Sequence, residues 1–170
     1  SKSSGSGIYV YSVNIQCLCA RLPELILQLN LHQPHIAIIQ ETWLDNSTDV
    51  VEIPGYTLIS RRDRKGTANR GGIIPYQRSD VNGLVHIENS DADERSWHFL
   101  RLGVDTILLA NWYRPGAMEH DGFENLYREI GKYYQEVSGV IIAGDLNVHH
   151  TKWLRHSNGN TLVGADLKTF

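Results

Sequence analysis

A change of hydrophobic pattern near residue 50 limits the fold of this chain more than any other feature. Before it, "GIYVYSVNI" and "HIAIIQE" are near-continuous apolar runs of β-forming residues, and we expect both to be buried strands. Between them, "ARLPELILQLNLHQP" has apolar residues at helical spacing, with Pro23 suited to the first turn and Pro34 to the end. This order predicts a parallel strand pair joined by a crossover helix.

After the change, the pattern becomes that of antiparallel hairpins. Five short β-like runs are separated by turns rich in Gly, Asn and Asp: "YTLIS", "GGIIPY", "LVHIE", "SWHFLRL" and "TILLANWY". Pro75 predicts that its run is an edge strand or contains a bulge. "DGFENLYREIGKYYQEV" then predicts a helix capped by Asp121, "VIIAG" a last buried strand, and the stretch from Leu162 to Phe170 a weak helix.

Together these elements predict one domain of the α/β (α+β) class. We expect a two-sheet β-sandwich core with flanking helices over residues 8–170, after a flexible lead-in over residues 1–7. The formal charge of −3 means that nucleic-acid binding would require a local basic surface. Cys17 and Cys19 are predicted to be reduced thiols, which weakly favours an intracellular protein, and no apolar run has transmembrane length.

Polar residues follow several predicted strands at the point where each strand leaves the core. They are Asn14, Glu41, Tyr113, Asp145 and Asn147. Each alone has an ordinary structural explanation, such as a helix cap, an aromatic that closes the core, or an Asx turn. Their repeated placement at strand ends instead predicts a shared site, because ligand sites of α/β sheets collect there. Oxygen-rich side chains of this kind suit Mg²⁺ or Mn²⁺.

The segment "RRDRKGTANRGG" concentrates positive charge in one loop. Its basic residues are Arg61, Arg62, Arg64, Lys65 and Arg70. They are candidates for contacts with the phosphates of a nucleic-acid backbone. A solvated surface loop, or one that binds an acidic partner, explains the same composition.

The strand-end motifs, taken in order, resemble a known superfamily. "SVNI", "IIQETWL", "ANWYRPG" and "AGDLNVHHTKW" are similar to successive motifs of the endonuclease/exonuclease/phosphatase superfamily. They look most like the apurinic-endonuclease-like endonuclease domain of non-LTR retrotransposons. The resemblance implies a DNase I-like fold and Mg²⁺-dependent nicking of DNA, in the nucleus for a retrotransposon enzyme.

The resemblance also implies a role for each strand-end residue. Glu41 would be the metal ligand, with Asn14 beside it in the metal shell. Asp145 would orient or deprotonate the attacking water, and Asn147 would position the scissile phosphate. The Tyr113 hydroxyl would support the phosphate as charge develops.

The chain also departs from the family pattern at its end. The family continues with an aspartate and then a Ser-Asp-His triplet, whereas this sequence stops before either. His149 and His150 match a histidine pair of the retrotransposon group that is not catalytic. We therefore expect a C-terminally truncated domain that lacks its last strands, cleaves poorly, and leaves a sheet face for a protein partner or a second copy.

Three functions remain open from the sequence. The first is a DNA-nicking endonuclease domain, and the second is a catalytically dead remnant that serves as a scaffold or interaction subunit. The third, a phosphatase of a small phosphorylated molecule, fits the "HHTKW" segment least well.

Overall fold

Two four-stranded sheets form the framework of the chain. The computed structural model describes residues 7–49, 51–66, 70–115 and 122–146. The strands are β1 (Val10–Asn14), β2 (Ile36–Gln40), β3 (Tyr56–Leu58), β4 (Ile73–Arg78), β5 (Leu84–Asn89), β6 (Arg95–Leu102), β7 (Asp105–Tyr113) and β8 (Gly139–Asp145), and the helices are α1 (Leu18–His32) and α2 (Gly122–Gly131). Strand order is β1-β2-β4-β3 in the first sheet and β5-β6-β7-β8 in the second. The predicted lead-in before Gly7 and the predicted helix from Leu162 lie outside the described residues.

The predicted β-α-β unit is confirmed. Strands β1 and β2 are parallel, and α1 connects them across the outer face of the first sheet. The helix buries Leu18, Leu25 and Leu29 against that face, and each buried leucine contributes about 1.5–3 kcal/mol of hydrophobic stabilisation. The helix ends before Pro34, where Gln33 takes a left-handed conformation and its N–H donates to the Leu29 carbonyl.

Pro75 does not mark an edge strand, and that prediction was wrong. Strand β4 lies between β2 and β3, with Pro75 opposite Ile38 of β2. The Pro75 carbonyl accepts a hydrogen bond from the Ile59 N–H. In an antiparallel strand the N–H and C=O of one residue point to the same side, so at Pro75 both positions face away from β2. Because β3 has already ended at Leu58, the missing N–H removes no bond from either ladder.

The first and last strands are less buried than the sequence predicts. We expected "GIYVYSVNI" to be buried on both faces and "VIIAG" to be a buried strand, but among the described residues β1 and β8 are the outer strands of their sheets. On β8, Ile141 and Ala143 face the core, whereas Val140 and Ile142 point outward and are 38% and 36% exposed. A continuous apolar run therefore does not distinguish an outer strand from a central one.

The layer between the sheets changes from apolar to polar along its length. At one end it contains aliphatic side chains: Ile36, Ile38, Leu84, Leu100 and Leu109. At the other end Gln40 of β2 reaches across to Asn111 of β7, with its Nε2 3.2 Å from Oδ1. The same Nε2 lies 3.1 Å from the Ser12 hydroxyl of β1. This buried amide network joins the two sheets beside the strand ends that carry the predicted site.

Helix α2 covers the outer face of the second sheet. Phe123 and Leu126 pack against Trp97 and Trp112. The helix is shorter than the sequence predicts: it ends at Gly131, and a short 3-10 helix follows over Tyr134–Glu136. Glycine is a poor helix former, which accounts for the early end. The predicted cap, Asp121, lies outside the described residues.

Among the helices that the structure describes, none has the length and apolar character needed to span a bilayer.

Candidate functional site

Four of the five predicted site residues lie at the ends of adjacent strands. Asn14 ends β1 and Glu41 directly follows β2, while Tyr113 ends β7 and Asp145 ends β8. Tyr113 and Asp145 are direct partners in the parallel β7–β8 register. The fifth, Asn147, lies outside the described residues.

A hydrogen bond between Asn14 and Asp145 joins the two halves of this group. The Asn14 side-chain Nδ2 donates to Asp145 Oδ2 at 2.9 Å, across 131 residues of sequence. The other amide atom, Asn14 Oδ1, is buried and has no hydrogen-bond partner within the described part of the chain. A buried acceptor without a donor is costly, so this oxygen is suited to a ligand that carries positive charge.

Glu41 is held by two donors. Its side chain accepts hydrogen bonds from the indole N–H of Trp43 and from the Tyr113 hydroxyl. Burial, with the Glu41 interaction next in size, raises the pKa of Tyr113 to about 12. Tyr113 is therefore a neutral donor at neutral pH. We did not predict Trp43 from the sequence, although it stands in the same "QETWL" motif.

The backbone around Glu41 is strained and firmly held. Glu41 and Trp43 both have φ near +57°, in the left-handed region. Such conformations cost about 1–3 kcal/mol each and persist where neighbouring structure fixes them. Here the Cys17 N–H donates to the Glu41 carbonyl at 2.9 Å, and the Trp43 N–H donates to the Gly71 carbonyl at 2.9 Å. The Glu41 side chain therefore projects from a rigid support.

Gly144 brings Asp145 against β7. A Cβ at Gly144 would lie 1.9 Å from the Trp112 carbonyl oxygen, and its φ is +137°. Only glycine fits this close approach. The Arg114 N–H then donates to the Asp145 carbonyl at 2.8 Å, which fixes the end of β8 beside Tyr113.

Arg61 and Arg62 are two of the predicted basic residues that pair inside the protein; Arg64, which pairs with Glu94 at 2.7 Å, is another. Arg61 forms an ion pair with Asp63 at 2.8 Å and donates to the Asp45 carbonyl at 2.7 Å. Arg62 donates to the Arg95 carbonyl at 2.8 Å. Both side chains therefore shape the loop, and neither is simply a solvated positive charge.

The remaining basic residues lie nearer the strand-end group or in solvent. The Arg64 guanidinium is 5.5 Å from the centre of the Tyr113 ring. Arg70 stacks on Trp43 at the same separation of 5.5 Å, and Lys65 is exposed. Positive charge therefore lies beside the two aromatic donors to Glu41.

The donor atoms of the group fit a hard divalent cation. Two carboxylates, Glu41 and Asp145, lie with the unpartnered amide oxygen of Asn14. Within the described residues there is no cluster of three or more His, Cys, Asp or Glu side chains. A site with one or two carboxylates is typical of Mg²⁺, which keeps several of its waters, whereas zinc prefers nitrogen and sulfur ligands.

Solved structures share this architecture. The AP endonuclease LMAP from Leishmania major superposes with a TM-score of 0.71 at 18% identity, over 89% of this chain and 59% of that one. The endonuclease domain of TRAS1, a telomere-specific non-LTR retrotransposon, superposes with a TM-score of 0.68 at 18% identity, over 96% of this chain and 68% of that one. The catalytic domain of Xenopus laevis APE2 superposes with a TM-score of 0.62 at 17% identity, over 94% of this chain and 64% of that one.

These likenesses confirm the predicted DNase I-like fold. This chain spans 59% of the length of the Leishmania enzyme's chain. Neither a protein-family model nor a curated protein matches the sequence.

Proposed function

We propose that this chain, which has the DNase I-like fold of the endonuclease/exonuclease/phosphatase superfamily, is a Mg²⁺-dependent endonuclease domain that hydrolyses phosphodiester bonds of DNA. Mn²⁺ would serve in place of Mg²⁺, because both ions favour oxygen ligands. The TRAS1 likeness supports a retrotransposon-type enzyme, whose place of action would be the nucleus.

The contact between Asn14 and Asp145 carries this proposal. Two residues from the outer strands of different sheets meet at 2.9 Å, and the amide oxygen left over is buried without a partner among the described residues. A divalent cation held by Asn14 and Glu41 would satisfy that oxygen.

Glu41 and Asn14 would hold this cation. When bound, the ion would supply charge neutralisation at a phosphate oxygen and a lowered pKa for a nearby water. Glu41 reaches it already oriented by Trp43 and Tyr113, so little side-chain freedom is lost on binding.

Asp145 and Tyr113 would act on the reactants themselves. Asp145 accepts from Asn14 through one oxygen, which fixes the plane of its carboxylate so that it can orient or deprotonate the attacking water. Tyr113, neutral at physiological pH, would turn its single O–H from Glu41 to a phosphate oxygen as negative charge develops there. From the motif resemblance we assign Asn147 as the donor that positions the scissile phosphate.

DNA would reach the site along the basic loop. With a formal charge of −3 for the whole chain, binding must depend on this local surface. We assign contacts with distant backbone phosphates to Lys65 and Arg70, and a phosphate contact nearer the strand ends to Arg64. Arg61 and Arg62 support the loop through their internal bonds.

Nicking of supercoiled plasmid tests the proposal. We expect the purified chain to convert supercoiled to relaxed DNA with Mg²⁺ but not with EDTA. Glu41→Ala should abolish this conversion, and Glu52→Ala, which removes an exposed carboxylate, should not. Equal nicking by wild type and Glu41→Ala would contradict the proposed site.

The alternative function is a catalytically dead scaffold that binds a protein partner or a second copy. The partly exposed Val140 and Ile142 on the outer face of β8 favour it, because a partner would bury them. A chain that unfolds cooperatively, shows no Mg²⁺-dependent nicking and elutes as a dimer or complex would support this alternative.

A further inference from the structure

Arg64 differs from the other basic residues of its loop in both position and support. Its guanidinium lies over the Tyr113 ring, 5.5 Å from the ring centre, and the Tyr113 hydroxyl in turn donates to Glu41. A cation in this place neighbours the proposed reacting phosphate. The exposed Lys65 could contact more distant backbone phosphates equally well.

Glu94 holds Arg64 in this place. One carboxylate oxygen of Glu94 accepts from Arg64 Nη2 at 2.7 Å, and the other accepts from the Gly72 N–H at 2.7 Å. The carbonyl of the same residue accepts from the Tyr113 N–H at 3.0 Å. Glu94 therefore ties three parts together: the basic loop, the start of β4 and the end of β7.

Gly71 shows that this pairing is built into the loop. A Cβ at Gly71 would lie 2.4 Å from Glu94 Oε1 and 2.5 Å from Arg64 Nε, and the residue has φ +62°. The loop therefore admits the Arg64–Glu94 pair only because this position carries no side chain. The side chains are 30% and 11% exposed, so the pair is partly shielded from solvent.

Arg64 keeps donors for a ligand. A guanidinium has five N–H donors in a planar fork, and within the described part of the chain Glu94 is the one residue that accepts a hydrogen bond from Arg64. The fork matches the oxygens of a phosphate, and holding it in advance reduces the entropy lost on binding.

We infer that Arg64 is a direct ligand of the reacting phosphate and that Glu94 is the positioning residue that aims it, an inference that rests on the proposed function. The Arg64 charge would then act on the pentacoordinate phosphorus centre, together with the Tyr113 hydroxyl. Its effect should appear in turnover more than in ground-state binding.

Steady-state kinetics on a labelled duplex with Mg²⁺ test this inference. We expect Arg64→Ala to lower kcat by ~10²-fold while KM changes by less than ~3-fold, as for loss of one transition-state donor. Arg64→Lys keeps the charge but loses the planar fork, and should not restore the rate. Glu94→Gln should lower kcat by ~10-fold.

The double variant separates positioning from a general structural role. If Glu94 acts through Arg64, Glu94→Gln should cause no further loss in the Arg64→Ala background. Glu88→Gln is the matched control, because Glu88 lies on β5, pairs with Lys132 just after α2, and is separated from β7 by β6. An undiminished kcat in Arg64→Ala, or a Glu94→Gln loss that persists without Arg64, would overturn the inference.

A binding measurement distinguishes failure of this inference from failure of the proposed hydrolysis. Anisotropy of the same duplex with Ca²⁺ should show that Arg64→Ala and Glu94→Gln bind DNA within ~3-fold of the wild type, because Arg64 is expected to act in the transition state. Nicking by the wild type with an undiminished kcat in Arg64→Ala would overturn the inference and leave the proposed hydrolysis standing. DNA binding by the wild type without any nicking would overturn the proposed hydrolysis and, with it, the inference.

Discussion

The Glu41 carboxylate is fixed before any ligand arrives. Trp43 donates to it from the same motif, Tyr113 donates from the other sheet, and the backbone at Glu41 is pinned in a left-handed conformation. If Glu41 holds the cation as proposed, it needs little rearrangement to bind. Trp43 and Tyr113 should then affect metal affinity even though they do not contact the metal.

Trp43→Phe tests this point, because it keeps an aromatic ring and removes the N–H donor. We expect the Mg²⁺ concentration for half-maximal nicking to rise by about 10–100-fold, the usual effect of losing an outer-shell partner. Tyr133→Phe is the control, since Tyr133 hydrogen-bonds Glu88 away from the strand ends. An unchanged Mg²⁺ dependence in Trp43→Phe would show that the indole does not orient Glu41.

The sequence predicted the placement of the candidate site residues better than the residues that support them. Asn14, Glu41, Tyr113 and Asp145 could be inferred because they follow strands whose ends must meet in a sandwich. Glu94 could not be inferred in this way. Its role depends on a carboxylate from one hairpin approaching the glycines of another to within hydrogen-bond distance, and residue order does not encode that distance.

At the scale of elements, the close approach of β8 to β7 depends on one glycine. We expect Gly144→Ala to lower the free energy of unfolding by about 2–3 kcal/mol, because the added Cβ meets the Trp112 carbonyl oxygen and φ is positive. Urea denaturation measures this change.

Gly103→Ala is the matched control for backbone conformation. Gly103 also has positive φ, at +62°, but a Cβ added there would meet no other atom of the described residues within 4 Å. Its substitution should cost only about 1–2 kcal/mol from the left-handed backbone. Equal losses for the two variants would mean that the β7–β8 contact is not tight at Gly144.

Helix α2 is anchored to the second sheet by a buried ion pair. Arg95 is fully buried, pairs with Glu129 of α2 and lies 4.5 Å from the centre of the Trp112 ring. Glu129 also accepts from the Trp97 indole at 2.8 Å. Removal of Glu129 would leave a buried positive charge that, within the described residues, pairs with Asp93 alone, 3.4 Å away.

Glu129→Ala should therefore lower the free energy of unfolding by about 3–5 kcal/mol, as expected when one partner of a buried pair is lost. Chemical denaturation followed by tryptophan fluorescence measures the loss. Glu124→Ala, at an exposed position of the same helix, should change stability by less than about 1 kcal/mol. Arg95→Met with Glu129→Leu should recover much of the loss, and failure to recover would indicate a role beyond charge compensation.

Element order was more predictable than element burial. The parallel β1–β2 pair and the antiparallel β5-β6-β7 meander follow from local periodicity and turn residues. The central position of β4 and the outer positions of β1 and β8 depend on how distant strands pair. Pro75 was misleading because its carbonyl and missing N–H face away from β2, so the β2–β4 ladder loses no hydrogen bond and β4 can lie inside the sheet.

At the scale of the whole molecule, the two sheets meet through a layer that combines aliphatic packing with buried polar groups. The polar groups include Gln40, Asn111 and His98. His98 lies on β6, where its Nε2 is 3.0 Å from the Ser60 hydroxyl and its ring is 5.2 Å from that of His86. A cation in this layer would be poorly solvated, so the interface between the sheets should respond to pH.

Burial, and next the neighbouring His86, lowers the pKa of His98 from 6.5 to about 3. Between these values the unfolded chain binds more protons than the folded chain, so stability falls as pH falls. From pH 6.5 to pH 5 this group alone should remove about 1–2 kcal/mol from the free energy of unfolding. His98→Gln, which cannot titrate, should flatten the dependence measured by urea unfolding over that range, while His32→Gln, at an exposed position of α1, should leave it unchanged. A pH dependence that is the same in His98→Gln and in wild type would mean that His98 takes up a proton as readily in the folded state as in the unfolded state, and that the layer between the sheets tolerates a charge.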